Sequence, residues 1–182
     1  MPPTPPDPPR EELRGLRVLA HPLRLRLLSL TTARAYSAAE AARELGASQA
    51  NVSYHLRRLH EAGLLRLDGE ETVRGGLAKR YRYDGSSRLT VGTEADEYAA
   101  VASALGEELR RRSHRRDPRH PGSLTDAEVW LPKATWERVR ELAEEIGELV
   151  HEEAVPADSP GAVPTSATLL LFCMADGRGD EE

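Results

Sequence analysis

The sequence predicts a mainly α fold completed by one β-hairpin, followed by a smaller α+β module of strand–helix–strand type. Three observations carry this expectation. Two helices with capping residues at their starts are joined by the short turn Gly46-Ala47-Ser48. The run Lys79-Arg-Tyr-Arg-Tyr83 alternates charged and aromatic residues, and with the preceding run Leu64–Asp68 it reads as a hairpin. Further along, Ala127–Leu131 and Ser166–Met174 read as strands flanking a helix that opens at Pro132 and runs to about Glu153.

Taken in order, Met1–Pro9 contains six prolines and no apolar stretch, so it is expected to be a disordered tail and not a targeting signal. Glu11–Ala20 carries Leu13, Leu16, Val18 and Leu19, the stripe of a short helix. His21-Pro22 breaks it, and Pro22 suits the first turn of the next helix, which extends to about Leu30. Five leucines in that helix place it at the centre of a small domain. Ser37-Ala-Ala-Glu40 is a capping box, with Tyr36 positioned as a staple against Ala41, and it opens the Ala-rich helix Ala38–Leu45. Gly46 ends that helix. Ser48 caps the next, which runs to about Ala62, where Gly63 supplies a left-handed stop. Val52, Leu56 and Leu59 fall on one stripe and must face a core. Gly69-Glu-Glu turns the following strand, and Arg74-Gly75-Gly76 marks the hairpin tip.

The helix after Ser48 presents Gln49, Ala50, Ser53, Tyr54, Arg57 and Arg58 away from its apolar stripe. An amide, a hydroxyl, a flat ring with a polar tip and two guanidinium groups can read base edges and grip phosphate. A helix of this diameter fits the major groove of duplex DNA. Arg74, Lys79, Arg80 and Arg82 make the hairpin basic enough to lie along a phosphate backbone. An ordinary solvated helix face and a charge-protected strand edge are the bland alternatives; a helix-turn-helix directly followed by a basic hairpin favours nucleic acid.

Charge distribution supports the same division. The net charge is −5, yet Arg10–Gly92 holds 15 basic against 9 acidic residues, and Thr93–Glu182 holds 10 against 20. Unlike halves suggest unlike partners. There is no apolar run long enough for a transmembrane helix. Cys173 is the only cysteine, which excludes an internal disulfide and a multi-thiolate metal site within one chain. A cytoplasmic, nucleoid-associated location is expected, with no membrane contact.

The wording Ala20-His-Pro-Leu-Arg24, the reader-helix run Ser48-Gln with Val52-Ser-Tyr-His-Leu56, Leu59 and Ala62-Gly-Leu64, and the hairpin ending Arg80-Tyr-Arg-Tyr83 resemble the arsenic-repressor-like (ArsR-type) winged helix-turn-helix regulators. The resemblance covers about Arg10–Gly85. It implies a bacterial transcription regulator, usually a repressor, binding operator DNA as a homodimer. By the same resemblance, Gln49, Ser53, Tyr54 and Arg57 face DNA, with Ser48, Ala50 and Arg58 beside them and the wing cations on the backbone. Metal-sensing members carry paired cysteines or Asp/His clusters; the winged helix of this chain has no thiolate pair, so metal sensing is not expected.

Thr93 caps a helix, Glu94 to about Arg112, with acidic residues in its first turn and Arg110-Arg-Arg112 in its last, both matched to the helix dipole. In relatives the helix after the wing pairs with its twin, often alongside the first helix. This points to Leu13, Leu16, Tyr98, Ala102, Leu105 and Leu109 as dimer-forming residues, although such a stripe could equally pack on its own chain. His114, Asp117 and His120 carry metal-ligand atoms at spacings of three, but Pro118 breaks the helix that would align them. No metal or other cofactor is predicted.

Five regions follow: a tail at 1–9, a winged helix DNA-binding domain at 10–92, a linker and dimerisation helix at 93–116, a strand–helix–strand module at 124–176, and an acidic tail at 177–182. In the C-terminal module, Trp130, Trp136 and Phe172 are either core or the walls of a pocket for a small apolar effector. Cys173, within an apolar run, reads as a buried thiol. No Gly-rich phosphate loop, His-Glu-x-x-His or Gly-x-Ser-x-Gly sequence occurs. The expected activity is therefore DNA binding without catalysis; a protein-interaction module built on the same winged helix is the rival from another class.

Overall fold

The computed structural model describes residues 17–73, 76–85 and 95–175. Helix α1 (Pro22–Ala33) lies at the centre and buries Leu23, Leu27, Leu28 and Thr31. His21 caps it, its Nδ1 accepting the Leu23 N–H at 3.1 Å. The Thr31 hydroxyl donates to the Leu27 and Leu28 carbonyls at 2.9 and 3.1 Å, so this buried hydroxyl needs no outside partner.

Tyr36–Ser37 forms a short strand, β1, where the sequence suggested only a staple. Ser37 also caps helix α2 (Ala38–Leu45). Its hydroxyl accepts the Glu40 N–H at 3.3 Å while its own N–H donates to Glu40 Oε2 at 2.8 Å, the two halves of the expected capping box. Gly46, at φ +61°, closes α2 in a left-handed conformation that costs glycine nothing. Helix α3 (Gln49–Glu61) then starts at Ser48, whose side chain accepts the Asn51 N–H at 3.3 Å. Val52, Leu56 and Leu59 are fully buried, as their spacing predicted.

Strands β2 (Leu65–Val73) and β3 (Gly76–Tyr83) form the hairpin, with antiparallel sheet order β1-β3-β2. Leu65, Tyr81 and Tyr36 bring the sheet onto the helical core. The turn expected at Gly69-Glu-Glu is instead a register shift between Leu67 and Glu70, and the strand runs on. Gly69 at φ +102° takes up the extra residue that a bulge requires.

Helix α4 (Ala95–Ser113) packs along α1, with Val101 and Leu105 joining the core. Buried Glu97 reaches the exposed Arg17 at 2.7 Å, and buried Glu108 is answered one turn on by Arg111 at 2.7 Å. The winged helix and α4 thus share one core.

The last third departs from expectation. Helix α5 (Lys133–Glu152) forms, but none of its residues is buried. The strands expected at Ala127–Leu131 and Ser166–Met174 are absent, and both segments run as irregular chain. Neither has a neighbouring strand to exchange backbone hydrogen bonds with, and strand propensity alone supplies none. Cys173, expected to be buried, is exposed. This part touches the rest through the stacked rings of His151 and Tyr83 (4.9 Å), the edge contact of Phe172 with Tyr98 (5.3 Å), and Arg112, which donates to the Ala167 carbonyl and Thr168 Oγ1 at 3.5 and 3.3 Å. Among the described residues no helix is long and apolar enough to cross a membrane.

Candidate nucleic-acid interface

The stripe of Val52, Leu56 and Leu59 seats α3 on the core and so fixes which side chains turn outward. Gln49, Ala50, Tyr54, Arg57 and Arg58 are exposed with the capping Ser48, and Ser53 is half-buried. Arg58 leans on Glu61 at 3.5 Å, whereas no carboxylate pairs with Arg57 among the described residues. Tyr54 is half exposed and its ring edge rests on His55 at 5.1 Å, which holds the phenol upright without hiding it. One continuous surface therefore offers amide, hydroxyl, phenol and guanidinium groups from a single rigid helix.

His55 is a residue the sequence reading passed over. It is 5 % exposed, its ring lies 4.4 Å from that of His21, and its Nδ1 has no hydrogen-bond partner among the described residues. It lies three residues after Val52 and four before Leu59, on the buried side of α3, so helical spacing could have found it. Burial, then the neighbouring His21 and Arg24, holds the His55 imidazole below its ordinary pKa. His21 is lowered by burial and Arg24 against an opposing pull from Glu107.

The native state therefore resists protons that the unfolded chain accepts below about pH 6.5. Stability should fall as pH drops from about 7 through that value and level off below the depressed native pKa. Urea titrations at about pH 7.5 and 5.5 should show the loss in the wild type and much less of it in His55→Leu. Glu40 titrates in a separate window: burial pushes it up, but the Ser37 N–H and the Arg80 and Arg34 guanidiniums hold it below the carboxylate range. Its contribution is lost only at more acid pH, below about 4.3.

On the hairpin, the expected cations divide. Lys79 is exposed, and Arg82 is half-exposed with only a distant contact, 3.9 Å, to Asp68. Arg74 lies outside the described residues. Arg80 corrects the sequence reading. Its guanidinium is committed to Glu40 (3.1 Å), Glu71 (2.9 Å) and the Ala35 carbonyl (2.8 Å), tying the wing to the start of α2. Those partners come from distant parts of the chain, so strand alternation alone read it as a phosphate contact. Arg80→Ala should lower stability by about 1–3 kcal/mol and leave DNA affinity of the folded protein nearly unchanged; parallel melting and DNA titrations separate the two.

A missed cation is Arg66, exposed on β2 and directly opposite Arg82. Two like charges facing across strands repel, and a bound anion such as phosphate relieves them. The outward register of Arg66 between Leu65 and Leu67 was legible from alternation.

The dimer-forming set is also divided. Leu13 and Leu16 lie outside the described residues, Leu105 packs on the core, and Tyr98 meets Phe172 of its own chain. Ala102 and Leu109 stay exposed. Trp130 is 77 % exposed and Phe172 51 %, with Trp136 half-buried, so these rings do not wall an enclosed pocket in the single chain. The strands that would have closed one are not formed. A cleft of about 420 Å³ lies elsewhere, against the end of α3, lined by Arg17, Val18, Arg24, Arg58, Glu61 and Ala62.

Comparison with known proteins bears on the first half. No curated protein matches the chain. Among solved structures the chain is similar to that described as the crystal structure of M. tuberculosis Rv0081, at 25 % identity over 60 % of this chain and 98 % of that one, with a TM-score of 0.33. Residues 19–68 match the family model of a helix-turn-helix domain. The chain therefore carries a helix-turn-helix domain, the unit of DNA-binding regulators, with α3 as its second helix.

Proposed function

We propose that the protein is a sequence-specific transcriptional regulator of the ArsR-like winged-helix type, a repressor acting as a homodimer on an inverted-repeat operator in a bacterial cytoplasm. The observation that carries this reading is the open face of Gln49, Ser53, Tyr54 and Arg57 on a helix seated rigidly by a fully buried stripe. Lys79, Arg82 and Arg66 on the adjoining hairpin supply backbone contacts. Two reader helices related by a two-fold axis would enter the major groove about one helical turn apart. No catalytic group and no cofactor takes part.

Selection of bound duplexes from a random pool, followed by gel-shift titration of the winner and a scrambled control over a salt series, tests the proposal. A palindromic preference and affinity falling steeply with salt are the expected results. Equal affinity for the two duplexes would remove the sequence-specific reading, and salt-independent binding would remove the phosphate contacts.

A further inference from the structure

Arg24 closes the sequence run Ala20-His-Pro-Leu-Arg24, yet it takes no part in the outward face of α3. It lies half-buried in the first turn of α1, and two carbonyls hold its guanidinium: Nε donates to Val18, and Nη2 donates to Arg17 at 3.0 Å. Carbonyls fix a guanidinium in place without cancelling its charge, and they leave donors of the five-fold fork for a further acceptor. No carboxylate pairs with Arg24 among the described residues. Burial holds its pKa below the ordinary value and Arg58 adds to this, with Tyr54 pulling the other way. Arg24 and Arg58 are therefore close enough to repel.

Both line the cleft of about 420 Å³ against the end of α3, with Arg17, Val18, Glu61 and Ala62. Three cations face one carboxylate. Arg17 is turned to Glu97 at 2.7 Å, whereas Arg58 meets Glu61 only at 3.5 Å, on a surface where such a pair is worth little. The charge of Arg24 and Arg58 is thus left largely unanswered, and an anion with two oxygens to offer suits their planar forks.

The place of the cleft says which anion. Arg58 is one turn beyond Tyr54, so the cleft adjoins the outward face of α3. A helix with its side chains is about 10–12 Å across, and the major groove is about 12 Å wide. A helix lying in that groove therefore has the phosphate backbone along its flanks. Helix α1, which is outside the helix-turn-helix, carries Arg24 to one such flank.

We infer that this cleft is a phosphate-binding site in which Arg24 of α1 and Arg58 of α3 hold one phosphate between them, Arg58 leaving Glu61 to do so. A DNA backbone phosphate is the source that the placement favours, and for that source the inference rests on the DNA-binding reading above. A free phosphate anion would use the same donors.

Duplex titrations of the full chain over a salt series test it, with melting curves to show that each variant is folded. Arg24→Gln and Arg58→Gln should each weaken the preferred and the scrambled duplex by the same factor and make the salt slope shallower by about one. The double variant should lose little more than either alone, because both guanidiniums serve one phosphate. Losses that multiply overturn the shared site. Arg58 is exposed, so Arg58→Gln decides alone if Arg24→Gln does not fold: a loss confined to the preferred duplex places Arg58 on base edges and overturns the inference. Calorimetric titration of inorganic phosphate into the DNA-free protein at low salt is the second arm. Unaltered duplex affinity together with phosphate binding that Arg58→Gln abolishes assigns the cleft to a free anion. Unaltered duplex affinity without phosphate binding overturns the site, and the sequence preference of the wild type, measured separately, then stands. A wild type with no sequence preference that still binds phosphate through Arg58 keeps the cleft and removes the operator reading.

Discussion

Leu56→Ala is expected to destabilise the winged helix by about 2–5 kcal/mol. The side chain is completely buried between its stripe neighbours Val52 and Leu59, in the cluster that also holds Leu27, Leu64 and Tyr81. Truncation removes its transfer free energy and leaves a cavity ringed by side chains from α1, α3 and the hairpin, which cannot all close in together. Small domains have only about 5–15 kcal/mol of stability, so the change takes a large share. Urea unfolding followed by circular dichroism gives the number. A loss under about 1 kcal/mol would mean that α3 is not held by this stripe, and the fixed outward face of Gln49, Ser53, Tyr54 and Arg57 would lose its physical basis. At temperatures where the variant is still folded, its preference among duplexes should be unchanged, because Leu56 is wholly buried and presents no surface to DNA.

What the sequence made readable follows from range. The capping box at Ser37 and Glu40, the left-handed Gly46 and Gly63, and the buried stripe of α3 all act within a few residues, and each appeared in place. Features depending on distant partners were misread. Tyr36 belongs to a two-residue strand whose partner is Tyr81, and Arg80 is captured by Glu40 and Glu71. Ser166–Met174 has the composition of a strand, but in one chain it meets no edge to pair with. Its exposed Leu169, Leu171 and Phe172 show how far a local pattern can run ahead of available contacts. His55 and Arg66 are readable from short-range periodicity, the first from its place on the buried face of α3 and the second from strand alternation.

The DNA-facing assignment separates into two kinds of contact with different signatures. Gln49 and Tyr54 stand on α3, where an amide or phenol reaches base edges, so Gln49→Ala and Tyr54→Ala should each cost about 1–3 kcal/mol on the preferred duplex and relax choice at particular base pairs. Lys79 and Arg82 stand on the hairpin, where a cation meets phosphate, and their alanine variants should weaken every duplex alike and reduce the salt slope by about one each. Arg66→Ala should behave as the hairpin cations do, with one difference. Removing it also relieves its repulsion with Arg82, so the free protein should gain a little stability while DNA affinity falls. Titrations of each variant against preferred and scrambled duplexes at several salt concentrations, with melting curves of the free proteins, distinguish these outcomes. Gln49→Ala losing equally on both duplexes would move that side chain from base reading to backbone contact. Arg66→Ala losing stability would show that the two cross-strand guanidiniums are already neutralised within the chain and are not held ready for phosphate.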